Sequence, residues 1–110
     1  MRRGEVWTAA GGAGYAGKPR PVVIVQDDRF DATASVTVCG FTTDRADAPL
    51  FRLPVDPAAG NGLAAPSRLM VDKITTISRA NLGRCIGRLA AADMLRLDRA
   101  IVVFLGLAGG

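Results

Sequence analysis

The stretch that decides the fold is Lys18-Pro19-Arg20-Pro21-Val22-Val23-Ile24-Val25-Gln26. From Pro21 it runs as an unbroken series of β-branched residues, the pattern of a strand buried on both faces. The prolines at 19 and 21 keep the preceding residues from opening a helix. This settles the reading of Gly12-Ala13-Gly14-Tyr15-Ala16-Gly17, which spells GxGxxG. A dinucleotide site requires such glycines to open a helix, so that its N-terminus can face the pyrophosphate. Here a β run follows instead, and a kinase glycine loop would need a far longer chain. Residues 10–19 are read as a loop.

Working outward, Glu5-Val6-Trp7-Thr8-Ala9 reads as a first strand. Residues 27–33 form a polar turn, and residues 35–42 alternate with period two, giving a third strand. Residues 50–55 make a short strand. Residues 57–66 make a second glycine-rich turn, with Asn61-Gly62 as a hairpin tip. Strands resume at 67–71 and 73–77; residues 78–82 suit a single helical turn, and 84–89 a last strand. From Ala91 the period changes. Met94, Leu97, Ile101 and Phe104 or Leu105 recur at spacings of three and four, the stripe of an amphipathic helix. Ala90-Ala91-Ala92 offers it no capping side chain, and Gly106 supplies a stop. Many short strands with one terminal helix predict an α+β, mainly β, single domain over residues 1–110, either a small barrel or a strongly bent sheet.

At 110 residues there is room for one core. The net charge of +4 favours an anionic partner without naming it. The chain has no histidine. That removes Ser-His and Cys-His nucleophile pairs and histidine-containing zinc sites, leaving Arg, Lys, Asp, Glu, Thr, Ser, Tyr and the backbone for any catalysis. Cys39 and Cys85 lack metal-ligand spacing and are both expected to be buried and reduced. Asp27-Asp28 reads as a solvated turn rather than a cation site. Arg84, Arg88, Arg96 and Arg99 read as surface charges, with an RNA track as the functional alternative. Arg2-Arg3 leads into no apolar run, and the apolar stretch 100–105 is too short to span a bilayer. A cytoplasmic location with no membrane partner is therefore expected.

Four stretches, in order along nearly the whole chain, carry a family resemblance. Arg3-Gly4-Glu5-Val6-Trp7 resembles the first strand of MazF/PemK-type toxins. Lys18 to Gln26 is similar to their (K/R)xRPVVV(V/L/I)Q signature. Val38-Cys39-Gly40-Phe41-Thr42-Thr43 resembles a third strand ending in threonine, and Ser67-Arg68-Leu69-Met70-Val71-Asp72-Lys73-Ile74-Thr75-Thr76-Ile77 resembles their SxVxxDQIxTI segment.

The resemblance implies a small SH3-like (MazF/CcdB-type) barrel with a C-terminal helix, forming a homodimer that a cognate MazE-like antitoxin inhibits. It implies metal-independent, cofactor-free, sequence-specific cleavage of single-stranded RNA. The ribose 2′-hydroxyl attacks the adjacent phosphate, leaving a 2′,3′-cyclic phosphate and a 5′-hydroxyl. The family's catalytic arginine falls on Arg20 and its threonine on Thr42, with Thr43, one place along, able to substitute. The segment from Ser67 to Lys73 lies where family members help hold the RNA, and Lys18, Thr43, Ser67 and Lys73 are the implied RNA-binding residues. The chemistry suits those residue types. A guanidinium stays protonated and meets two phosphate oxygens through a planar fork, while a threonine hydroxyl can bind a phosphate oxygen or orient the 2′-hydroxyl. Without the motif, Arg20 would read as a salt-bridged surface arginine and Thr42 as a β-former.

Lys73 replaces the family's glutamine, which bears on base preference. Two other classes compete with this one. A gyrase-inhibiting toxin of the CcdB type relies on a terminal Trp-Gly-Ile, whereas this sequence ends Leu107-Ala108-Gly109-Gly110. A passive RNA-binding barrel would suit the charge equally.

Overall fold

The computed structural model describes residues 1–10, 18–45, 47–107 and 109. The GxGxxG stretch and Tyr15 lie outside them. Among the described residues the strands are β1 (Glu5–Ala9), β2 (Arg20–Ile24), β3 (Ser35–Thr42), β4 (Arg52–Val55), β5 (Ser67–Met70), β6 (Thr75–Ser78) and β7 (Leu82–Arg88), followed by helix α1 (Ala91–Phe104). One antiparallel sheet runs in the order β4-β5-β3-β2-β1-β7, with β6 also paired to β3.

The deciding stretch behaves as its pattern predicts. Val22 and Ile24 are buried in one apolar cluster, with Ala9, Val36 and Val38. Val23 is buried in the other, with Val6, Cys39, Phe41, Leu69 and the helix residues Leu97 and Ala100. Alternate side chains of β2 thus enter opposite clusters, as the pleat requires.

β3 is the hub. One edge pairs with β2, from Ile24↔Val38 to Val22↔Gly40. The other pairs first with β6, from Ser35↔Ser78 to Val38↔Thr75, and then with β5 through Phe41↔Leu69 and Thr42↔Arg68. Between β5 and β6 the chain makes a 3-10 turn at Val71–Lys73, where the sequence reads as strand to residue 71 and again from 73. Val71 is buried there, and Asp72 turns back to β4, taking Arg52 Nε at 2.7 Å and Nη2 at 3.0 Å.

The expected closed SH3-like barrel does not form. The end strands β4 and β7 are not paired with each other, so the sheet stays open. The edge of β4 explains why. Pro54 has no amide hydrogen to donate to a further strand, and its carbonyl already accepts from Arg96 Nη1 of α1 at 3.0 Å. The loop after β4 reaches β7 instead, with the Arg88 amide donating to Gly60 O at 2.7 Å.

Asn61-Gly62 lies midway along the loop that joins the antiparallel strands β4 and β5, but as part of a long loop and not of a two-residue turn. Asn61 is buried, and its side chain holds the loop from within. Oδ1 accepts from Ala58 N and Leu63 N, and Nδ2 donates to Asp56 O, at 3.0 to 3.2 Å. The apolar stripe of α1 is as predicted, with Leu97 and Ala100 buried. It starts at Ala90 without a side-chain cap, and Gly106 ends it at φ +74°. Cys39 is buried as expected, but Cys85 is exposed, on a strand whose residues are mostly exposed.

Candidate active site

Side-chain alternation assigns the candidate residues to one face of the sheet. Phe41 and Leu69 enter the cluster beneath α1, so their neighbours Thr42 and Arg68 belong to the opposite face. Arg20 shares its face with Val22 and Ile24, again away from the helix.

The register brings Arg20 and Thr42 into line. The paired segment of β2 and β3 ends at Val22↔Gly40; two residues further along each strand in that register come Arg20 and Thr42. On the other side of Thr42 its direct partner is Arg68, which in turn pairs with Pro54. The observed pairs thus run Thr42, Arg68, Pro54 across β3, β5 and β4, and the β2–β3 register, continued past its last pair, sets Arg20 on the other side of Thr42. Arg20 is exposed and Thr42 half-buried.

The Thr42 hydroxyl has a defined orientation. Its oxygen accepts the Asp44 amide at 3.1 Å in a tight turn after β3, which leaves its own proton available to an incoming acceptor. Beside it opens a cavity of about 210 Å³, whose walls include Thr43, Asp44, Arg45, Asp56, Ser67 and Arg68.

The remaining sequence candidates are dispersed around this row. Lys18 is exposed two residues ahead of Arg20, and Thr43 is exposed on the cavity wall. Ser67 also lines the cavity, but its hydroxyl donates to Ala65 O at 2.9 Å, so it can meet RNA only as an acceptor. Lys73 is exposed on the 3-10 turn beyond β5 and does not line the cavity.

Other motif residues serve the scaffold. Arg3 Nε donates to Val25 O at 2.9 Å, and the guanidinium pairs with Asp98 of α1. Gln26 accepts from Thr37 N and donates to Phe30 O, both at 2.9 Å. Asp72 is held below the usual carboxylate range, first by the hydrogen bonds from Arg52. With both oxygens engaged it is a poor proton acceptor. Asp27 and Asp28 are tied to Arg29, Arg2 and the Arg3 amide. Among the described residues no three His, Cys, Asp or Glu side chains form a group that could hold a metal ion.

Arg68 lies within the segment from Ser67 to Lys73 that the resemblance ties to RNA, but neither it nor the two carboxylates Asp44 and Asp56 stand out individually in the sequence. Arg68 had a legible signal: between Ser67 and the core residue Leu69 on a strand, it has to face away from the core.

With this geometry in view, the comparisons with known proteins decide the family. The model of the PemK-like, MazF-like toxins of type II toxin–antitoxin systems matches residues 2–105. The chain belongs to that family. It is 59% identical over 109 residues to a probable endoribonuclease MazF of Mycolicibacterium smegmatis, covering 99% of this chain and 100% of that protein. Among solved structures it resembles a mycobacterial endoribonuclease in complex with its cognate antitoxin, with TM-score 0.80, 27% identity and coverage of 100% and 99% of the two chains. It also resembles the Mycobacterium tuberculosis toxin MazF-mt6, with TM-score 0.77, 32% identity and coverage of 93% and 96%. As a MazF-family toxin, the protein is an endoribonuclease of a toxin–antitoxin system.

Proposed function

We propose that this MazF-family toxin cuts single-stranded RNA at the Arg20–Thr42 row, without metal or cofactor, using the RNA's own 2′-hydroxyl as nucleophile. The 2′-oxygen forms a bond to the adjacent phosphorus, the bond from phosphorus to the 5′-oxygen breaks, and that oxygen leaves with a proton. The products are a 2′,3′-cyclic phosphate and a 5′-hydroxyl end. The observation that supports the reading is the β2–β3 register, which continued two residues past its last pair, Val22↔Gly40, sets Arg20 level with Thr42, whose hydroxyl keeps a proton to donate.

Negative charge grows on the non-bridging oxygens as phosphorus becomes five-coordinate. Arg20 meets that charge through its fork, and the Thr42 hydroxyl donates to a phosphate oxygen. Of the two roles open to Thr42, donation to phosphate is favoured, because its oxygen already receives the Asp44 amide. The absence of histidine fits a catalyst that relies on positioning and charge stabilisation. Lys18 and Thr43 would hold the strand on either side, Ser67 would accept from the RNA, and Lys73 would attract a more distant phosphate.

We further propose a homodimer restrained by a cognate MazE-like antitoxin in the cytoplasm. The related mycobacterial endoribonuclease was solved with its antitoxin, and here Val103, Phe104, Leu105 and Leu107 leave apolar surface exposed at the end of α1. No helix among the described residues is long and apolar enough to cross a membrane.

The test is cleavage of a defined RNA pool in EDTA by wild-type, Arg20→Ala and Thr42→Ala proteins freed of antitoxin, with the new ends sequenced. Cuts at a short motif that carry 5′-hydroxyl ends and vanish in the variants are expected. Equal cutting by all three proteins would overturn the assignment of the site.

A further inference from the structure

We infer that Arg68 is a second substrate-binding arginine, holding an RNA phosphate oxygen from the far side of Thr42. The inference rests on the reading of Arg20 and Thr42 as the reaction centre. The motif around Ser67 leaves the next position open, so this arginine is a feature of the chain itself.

The geometry is that of neighbours. Thr42 and Arg68 are direct Cα partners across β3 and β5; residues so opposed share a face, with Cβ atoms about 4.5–5.5 Å apart. Arg68 on β5 is thus the direct neighbour of the hydroxyl, and Arg20 on β2 falls on its other side when the β2–β3 register is continued two residues past Val22↔Gly40. Half-buried in the cavity wall, Arg68 has a restricted stem and loses less freedom on gripping a ligand than a fully exposed arginine would.

The charges around it select the ligand. Asp44 and Asp56 line the same cavity as Arg45 and Arg68, so the cavity itself is balanced, with two carboxylates against two guanidiniums. The two carboxylates disfavour a phosphate beside them, so Arg68 is placed to meet one on the side of Thr42, its strand partner. Arg68 is thus assigned to backbone contact, which fixes the strand's register without reading a base.

Binding separates the inference from its foundation. The probe is a single-stranded DNA copy of the cut motif, which lacks the attacking hydroxyl, titrated from low to moderate salt against wild-type, Arg68→Ala, Arg68→Gln and Arg68→Lys proteins. Each phosphate contact on a single strand adds about 0.7 to the slope of log affinity against log salt. Arg68→Ala is expected to lose about that much and to raise KM for RNA at every cleaved sequence alike. Arg68→Lys keeps the charge and most of the slope, whereas Arg68→Gln removes the charge, is expected to lose the slope, and serves if the alanine variant folds poorly. A wild-type slope and KM in Arg68→Ala, or a change confined to one base position of the motif, would overturn the inference. Full cleavage by Arg20→Ala and Thr42→Ala sinks the site reading instead, whatever Arg68 does.

Discussion

The backbone amide of Arg88 donates to the carbonyl of Gly60 at 2.7 Å, joining the end of β7 to the loop that leaves β4. This bond crosses the opening of the sheet where a barrel would have carried a strand ladder. Gly87 makes the close approach possible, since a Cβ there would lie 2.4 Å from Gly60 O and 2.6 Å from the Asn61 carbonyl carbon. Both are backbone atoms that cannot rotate away.

Gly87→Ala should therefore push the loop off β7 and destabilise the protein by about 1–3 kcal/mol, the usual range for overpacking. Urea unfolding monitored through Trp7 would read the shift in midpoint. An unchanged midpoint would mean that the loop is free to move and does not brace the open edge.

The Arg52–Asp72 pair predicts an acid-sensitive contribution to stability. Asp72 titrates below its ordinary range in the fold, so the unfolded chain binds its proton more readily. The stabilisation is present above the unfolded aspartate value of about 3.9 and is lost as pH falls through the lower folded value. Asp72→Asn should be less stable than wild type at neutral pH, by on the order of 1.5–3 kcal/mol for hydrogen bonds to a charged group. The gap should close in acid, and a gap that stays constant from neutral pH down to acid would remove the pair as its source.

The two cysteines should differ sharply in reactivity. Burial pushes the Cys39 thiol up to about 12, whereas Cys85 lies at the surface. A thiol reagent at mildly alkaline pH should titrate one group in the native protein and a second only after unfolding, and Cys85→Ser should abolish the fast phase. Two thiols reacting at one rate without denaturant would contradict the burial of Cys39.

Thr42 offers a test of its hydroxyl apart from its shape. Thr42→Ser keeps the proton donor and should keep most activity. Thr42→Val keeps the β-branched form and should lower kcat by roughly 10²–10³, the usual loss for one transition-state donor. Equal activity in the two variants would show that the hydroxyl makes no contact in the reaction.

Local pattern carried a large part of this protein. The β-branched run after Pro21 specified a strand buried on both faces, the alternation from Ser35 specified β3 to the residue, and the three-and-four spacing from Met94 specified α1 and its buried Leu97. These signals are legible because each residue's side chain direction follows from its neighbours along the chain. The motif around Arg20 identified the family for the same reason, being a contiguous string of residue types.

Only the tertiary structure decided that β5 and β6 share one edge of β3, that the sheet stays open between β4 and β7, and that Cys85 is exposed. It likewise turned Asn61 inward and brought Arg68, 26 positions along the chain from Thr42, to lie directly across from it. Apart from the local bonds of Asn61, these are relations between residues far apart in sequence, set by strand register and by which faces and edges other elements cover. The missing amide of Pro54 is written in the sequence. That its carbonyl would be taken by Arg96, leaving β4 with no strand to close upon, depends on where the helix comes to rest.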